Sequence, residues 1–96
     1  MYKSIIDVHK DTPQDVLQEF ALRANRAFNN RAGQVKNVST NPYTFIYQGE
    51  EQEYACLEVG MLQLKNQPKL LAQMKSWVWI DEDDPQENTD VLKLFT

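Results

Sequence analysis

From Tyr2 to His9, apolar and polar residues interleave around Ile5, Ile6 and Val8, and this β-branched content predicts a first strand. Asp11-Thr12-Pro13 ends it. Thr12 suits a helix N-cap, Pro13 the first helical position, and Asp15, three residues beyond Thr12, a variant of the capping box. Leu17, Phe20, Ala21, Ala24, Ala27 and Phe28 then recur at spacings of three and four. That spacing makes one apolar stripe on a helix of about five turns. Asp15 and Glu19 in its first half, with Arg23, Arg26 and Arg31 in its second, match the macrodipole, and Gly33 is the expected stop.

Three strand signals come next. Gln34 to Thr40 carries Val35 and Val38, and Asn41-Pro42 reads as a turn. Tyr43 to Gln48 alternates, with Tyr43, Phe45 and Tyr47 on one face and Thr44, Ile46 and Gln48 on the other. After a turn at Gly49-Glu50-Glu51, Gln52 to Leu64 is apolar in both phases, which predicts a long central strand covered on both faces, with Gly60 at a bulge or bend. Pro68, Leu70, Leu71 and Met74 then favour a short helix over a continuation into the next strand, because Pro opens helices and the residues are unbranched. Trp77 to Ile80 reads as a final strand, and Thr89 to Phe95 as a tail with a helical turn or two.

The predicted order is strand, helix, three strands, short helix, strand, tail. This is an α+β fold: an antiparallel sheet of four to five strands with one long helix across one face, all within a single domain of residues 1–96. The helix stripe needs an apolar sheet face opposite, which Val35, Phe45 or Ile46, and Leu57 or Val59 can supply.

Composition narrows the function classes. With 42% hydrophobic and 25% charged residues in 96, the chain is globular in character. No apolar run approaches the roughly 20 residues of a membrane span, and the N-terminus lacks a signal-peptide core. Ten basic against fourteen acidic side chains leave −4, which argues against charge-driven nucleic-acid binding. One cysteine, Cys56, admits no internal disulfide and suggests a reducing, cytoplasmic setting. Its alternating apolar surroundings read as those of a buried small hydrophobe rather than a nucleophile.

Candidate chemistry is sparse. Asp81, Glu82, Asp83 and Asp84 form an acidic run, but no Gly or distal Glu stands where a calcium loop requires it, and Pro85 intervenes, so a solvated charge run is expected. His9 is the one imidazole and has no nucleophile at a recognisable spacing. Arg23 and Arg26 are adjacent across a helical turn and are expected to pair with Glu19 or to complement the helix end. No glycine-rich phosphate loop is present, and no catalytic residue, cofactor or metal is implied.

The aromatic residues give the sharper expectation. Tyr43, Phe45 and Tyr47 share one strand face, and Trp77 and Trp79 share another. If the helix covers the opposite side of the sheet, these five, with Val91, Leu92 and Phe95 of the tail, form an apolar surface. Such a surface serves as a subunit interface or a small-ligand site, or else it is a second side of the core beneath the tail. Base stacking is disfavoured by the acidic rim.

Helix, three strands, helix, a part of this order, is also that of double-stranded RNA-binding domains, but the chain lacks their basic loop, and Pro68-Lys69-Leu70-Leu71-Ala72-Gln73 holds a single Lys where their second helix is basic. In topology and charge the chain resembles type III secretion chaperones, which are small, acidic, dimeric α+β proteins. In length, acidity and absence of motif it resembles the small orphan proteins of integron gene cassettes, a resemblance that implies no catalytic residue. The resulting expectation is a non-enzymatic, cytoplasmic protein-interaction module that forms a homodimer. The alternative is a small-molecule-binding domain with a pocket between helix and sheet.

Overall fold

The computed structural model describes residues 1–96. It is an α+β fold: a four-stranded antiparallel sheet with helices packed on one side. The elements in chain order are β1 (Tyr2–Val8), α1 (Gln14–Ala27), β2 (Asn29–Asn30), β3 (Gly33–Gln34), β4 (Thr44–Gly49), α2 (Tyr54–Lys65), α3 (Pro68–Gln73), β5 (Met74–Asp81), β6 (Thr89–Asp90) and α4 (Val91–Phe95). The sheet order is β4-β1-β5-β6, while β2 and β3 form a separate small hairpin.

β1 is the central strand. Ile6 sits opposite both Phe45 and Trp77, and Ser4 opposite Tyr47 and Trp79. Because side chains alternate, Ser4, Ile6, Val8, Phe45, Tyr47 and Trp77 all point to one side, and all are buried. On that side α1 supplies Leu17, Phe20, Ala24 and Ala27, and α2 supplies Cys56, Leu57, Gly60 and Leu64. Phe20 meets Phe45 with ring centroids 5.1 Å apart, and Phe28 stacks on Tyr47 at 3.9 Å. The indole N–H of Trp77 donates to Ser4 Oγ at 2.9 Å, satisfying both buried polar groups. The register places Ile5 opposite Ile46 and Val78 on the other side of the sheet, where all three are half-buried.

The largest correction is to residues 52–64. The predicted central strand is helix α2. Its buried residues Cys56, Leu57, Gly60 and Leu64 keep helical spacing, and Ala, Leu, Glu, Met and Gln favour a helix. The start signal lies before it. A 3-10 turn, Glu51–Glu53, leads into α2, and Glu50 and Glu53 form a reciprocal capping box on it, with the Glu50 N–H donating to Glu53 Oε1 at 2.9 Å. Gly60 is therefore not a strand bulge. It sits mid-helix against the Phe28 ring.

Smaller corrections concern the two ends of α1 and the segment from Asn29 to Thr40. Thr12 makes no capping bond. Pro13 occupies the cap position, and Asp15 Oδ1 accepts instead from the Val16 N–H at 3.0 Å. The helix stops at Ala27, before Gly33, because Asn30 Nδ2 donates to the Ala27 carbonyl at 2.8 Å and to the Cys56 carbonyl at 3.1 Å. Gly33 turns the β2–β3 hairpin with φ +135°, which favours glycine. The expected strand at 34–40 shrinks to Gly33–Gln34 and an isolated bridge from Asn37 to Tyr47. The short helix after Pro68, the strand through Trp77–Ile80 and the helical tail are present.

Candidate functional site

The expected aromatic surface is mostly core. Phe45, Tyr47 and Trp77 are buried within the single chain and are not available as an interface; Val91, also buried, reaches the surface only at the floor of a groove. The physical reason is that the helices pack on the aromatic side of the sheet and not on the opposite one: Phe20 of α1 meets Phe45, Phe28 stacks on Tyr47, and Phe95 of α4 meets Trp77. Tyr43, Trp79, Leu92 and Phe95 are half-buried against this core. The Tyr47 hydroxyl donates to Asn25 Oδ1 at 2.7 Å, and burial pushes its pKa well above the ordinary range.

The exposed large apolar residues are Leu22, Val38, Tyr54, Leu62 and Leu94. Tyr54, Leu62 and Leu94 are 40%, 48% and 67% accessible. All three border one groove of about 220 Å³, with Met61, Trp79, Val91 and Phe95 as its apolar floor and Glu58 and Thr89 at its rim. Three elements build it. α2 presents Tyr54, Glu58, Leu62 and Lys65 on its outer face at helical spacing. β5 brings Trp79 from its far end, and α4 brings Leu94 and Phe95. Asp90 caps α4 by accepting from the Lys93 N–H at 3.1 Å, and the Phe95 ring is held edge-on to Trp77 at 5.5 Å.

An aromatic cluster fixes one end of the groove. The Tyr2 ring stacks on Trp79 at 5.6 Å and meets Tyr54 edge-on at 5.0 Å. The Tyr2 hydroxyl donates to Glu51 Oε2 at 2.6 Å. That hydrogen bond, with burial second, raises its pKa from 10.0 to about 12. At the other end, Lys65 Nζ lies 5.1 Å above the Phe95 ring.

The sequence pattern pointed to Trp79, Val91 and Phe95 of this groove and missed Tyr54, Leu62 and Leu94. The signal was present: Tyr54, Glu58 and Leu62 stand at i, i+4 and i+8, visible once the stretch is read at a period of 3.6.

The other large clefts are lined mostly by polar residues. One of about 560 Å³ runs between α1 and α3, where Arg23 Nε is paired with Glu19 Oε1 at 2.7 Å and Gln73 Oε1 is buried without a partner. Another of about 580 Å³ lies at the end of the sheet and includes His9, Tyr43 and Lys75. There Asp7 accepts from Thr44 Oγ1 at 2.6 Å and Ser76 Oγ at 3.2 Å, which ties the carboxylate to its neighbouring strands. The acidic run is engaged locally. Asp83 pairs with the N-terminus at 3.4 Å, Glu82 with Lys3 at 3.3 Å, and Asp81 Oδ1 accepts from the backbone of Asp83 and Asp84. No three His, Cys, Asp or Glu side chains gather as a metal-holding group. Cys56 is a buried free thiol whose Sγ–H donates to the Phe28 carbonyl at 3.4 Å, and burial pushes its pKa up. No helix is long and apolar enough to cross a membrane.

No protein-family model, curated protein or solved structure matches the chain.

Proposed function

We propose that the protein is a non-catalytic interaction module that self-associates through the groove beside Trp79. One observation carries this reading: Tyr54, Leu62 and Leu94 converge on a single apolar groove, whereas the other exposed large apolar residues, Leu22 and Val38, stand outside it. Water contact with such a cluster is unfavourable, and a second copy removes it with one self-complementary surface. The groove's volume of about 220 Å³ favours a protein surface over a small molecule, since ligand pockets usually span roughly 300–1,000 Å³. A pocket between helix and sheet is disfavoured by the Phe28–Tyr47 and Phe20–Phe45 contacts that fill that layer. A reducing cytoplasm suits the lone buried thiol.

Light scattering tests the reading. Leu62→Asp places a charge in the middle of the exposed cluster without touching the core. Wild type at micromolar concentration is expected to show the mass of two chains, and Leu62→Asp the mass of one with an unchanged circular dichroism spectrum. An unchanged mass in the variant contradicts this surface.

A further inference from the structure

Resting on the self-association just proposed, we infer that two copies pack their α2 helices antiparallel about a two-fold axis passing between Met61 and Leu62, so that Glu58 of each copy meets the partner's Lys65. Glu58, Met61, Leu62 and Lys65 succeed one another on the outer side of α2 at spacings of three, one and three. Glu58 lines the groove, and Lys65 lies beyond its other end over Phe95. The two charges are thus about 10 Å apart along the helix, with the apolar pair between them. In antiparallel packing about a two-fold axis, residues equidistant from the axis on its two sides face one another. An axis at the midpoint of Met61 and Leu62 sets Met61 opposite the partner's Leu62 and Glu58 opposite the partner's Lys65.

Two observations favour this arrangement over a parallel one. Neither Glu58 nor Lys65 belongs to the chain's own ion pairs, which are made by the N-terminus, Lys3 and Arg23. Parallel helices would set each charge beside its own copy, and like charges across an interface are repulsive. The chain's net charge of −4 sharpens the choice. Two such chains repel at long range, so a register that places an acid against a base at both ends of the contact is favoured over one that does not. Leu94, the most exposed of the large apolar residues, stands on α4 at the same groove and extends the contact beyond α2.

Charge reversal tests the orientation. Glu58→Lys, Lys65→Glu and the double variant Glu58→Lys/Lys65→Glu are compared with wild type by sedimentation equilibrium at low salt. Both positions are exposed, and circular dichroism verifies the fold of each variant. Each single reversal sets like charges together twice per dimer and is expected to weaken association about tenfold or more. The double reversal restores two opposite-charge pairs and is expected to return within a few-fold of wild type. High salt is expected to reduce these differences. A wild-type dimer that ignores all three changes overturns the orientation and leaves self-association standing. A double variant as weak as the singles also overturns the orientation. A wild type that is one chain throughout overturns the self-association reading and the orientation with it.

Discussion

The Phe28 ring occupies the space that a side chain at Gly60 would need: a Cβ built on Gly60 would lie 2.4 Å from Phe28 Cδ1. Phe28 cannot retreat easily, because its other face is stacked on Tyr47. Gly60→Ala ordinarily gains about 1 kcal/mol of helix propensity in an exposed helix interior. Here the clash is expected to reverse the sign, with a net destabilisation of about 1–3 kcal/mol. Thermal unfolding checks this, and a variant that melts above wild type would contradict the packing of α2 on α1.

The same contact explains why some elements were legible in the sequence and others were not. β1 was readable from its β-branched residues, β4 from its alternation, and α1 because its buried stripe recurs at a period of 3.6 among exposed residues. α2 was not, because Met61 and Val59 beside its buried stripe are themselves partly covered and blur the period. Reading residues 52–64 as a strand left one helix to cover the sheet, and setting that helix opposite the aromatics made a surface of Phe45, Tyr47 and Trp77, which Phe20, Phe28 and Phe95 in fact cover. The exposed groove was hidden by the same substitution, since a strand puts Tyr54 and Leu62 on one face with Cys56 and Leu64, and only a helix separates the exposed pair from the buried one. The Glu50–Glu53 capping box was the local signal that separates the two readings.

Phe20 is completely buried and touches Phe45 across the helix–sheet layer. Phe20→Ala is expected to cost about 3–5 kcal/mol, a large share of a small domain's stability. Denaturant unfolding measures it. A midpoint close to wild type would show that α1 presents a different face.

Trp77 and Ser4 satisfy each other in the core. Ser4→Ala leaves the indole N–H buried without an acceptor and is expected to cost about 1–3 kcal/mol. The near-ultraviolet circular dichroism of the variant reports whether Trp77 stays fixed. No loss of stability would mean that the indole finds another acceptor.

Tyr2 links stability to pH. Its pKa is raised in the folded chain from 10.0 to about 12, first by the hydrogen bond to Glu51 and then by burial. A raised pKa means that the folded state holds the proton more tightly than the unfolded one. The stabilisation is therefore complete below pH 10 and is lost as pH rises through about 12. The tyrosinate absorbance of wild type minus that of Tyr2→Phe isolates this group. A difference curve centred near 12 is expected, and one centred at the ordinary tyrosine value would contradict the Tyr2–Glu51 contact.

Self-association through the groove beside Trp79 is the central claim, and the molecular mass as a function of concentration tests it most directly. One chain is 11.2 kDa. Sedimentation equilibrium over a dilution series is expected to give twice that mass at the high end, falling toward one chain on dilution, with Leu62→Asp remaining at one chain throughout. A wild-type mass of 11.2 kDa at every concentration would contradict the account.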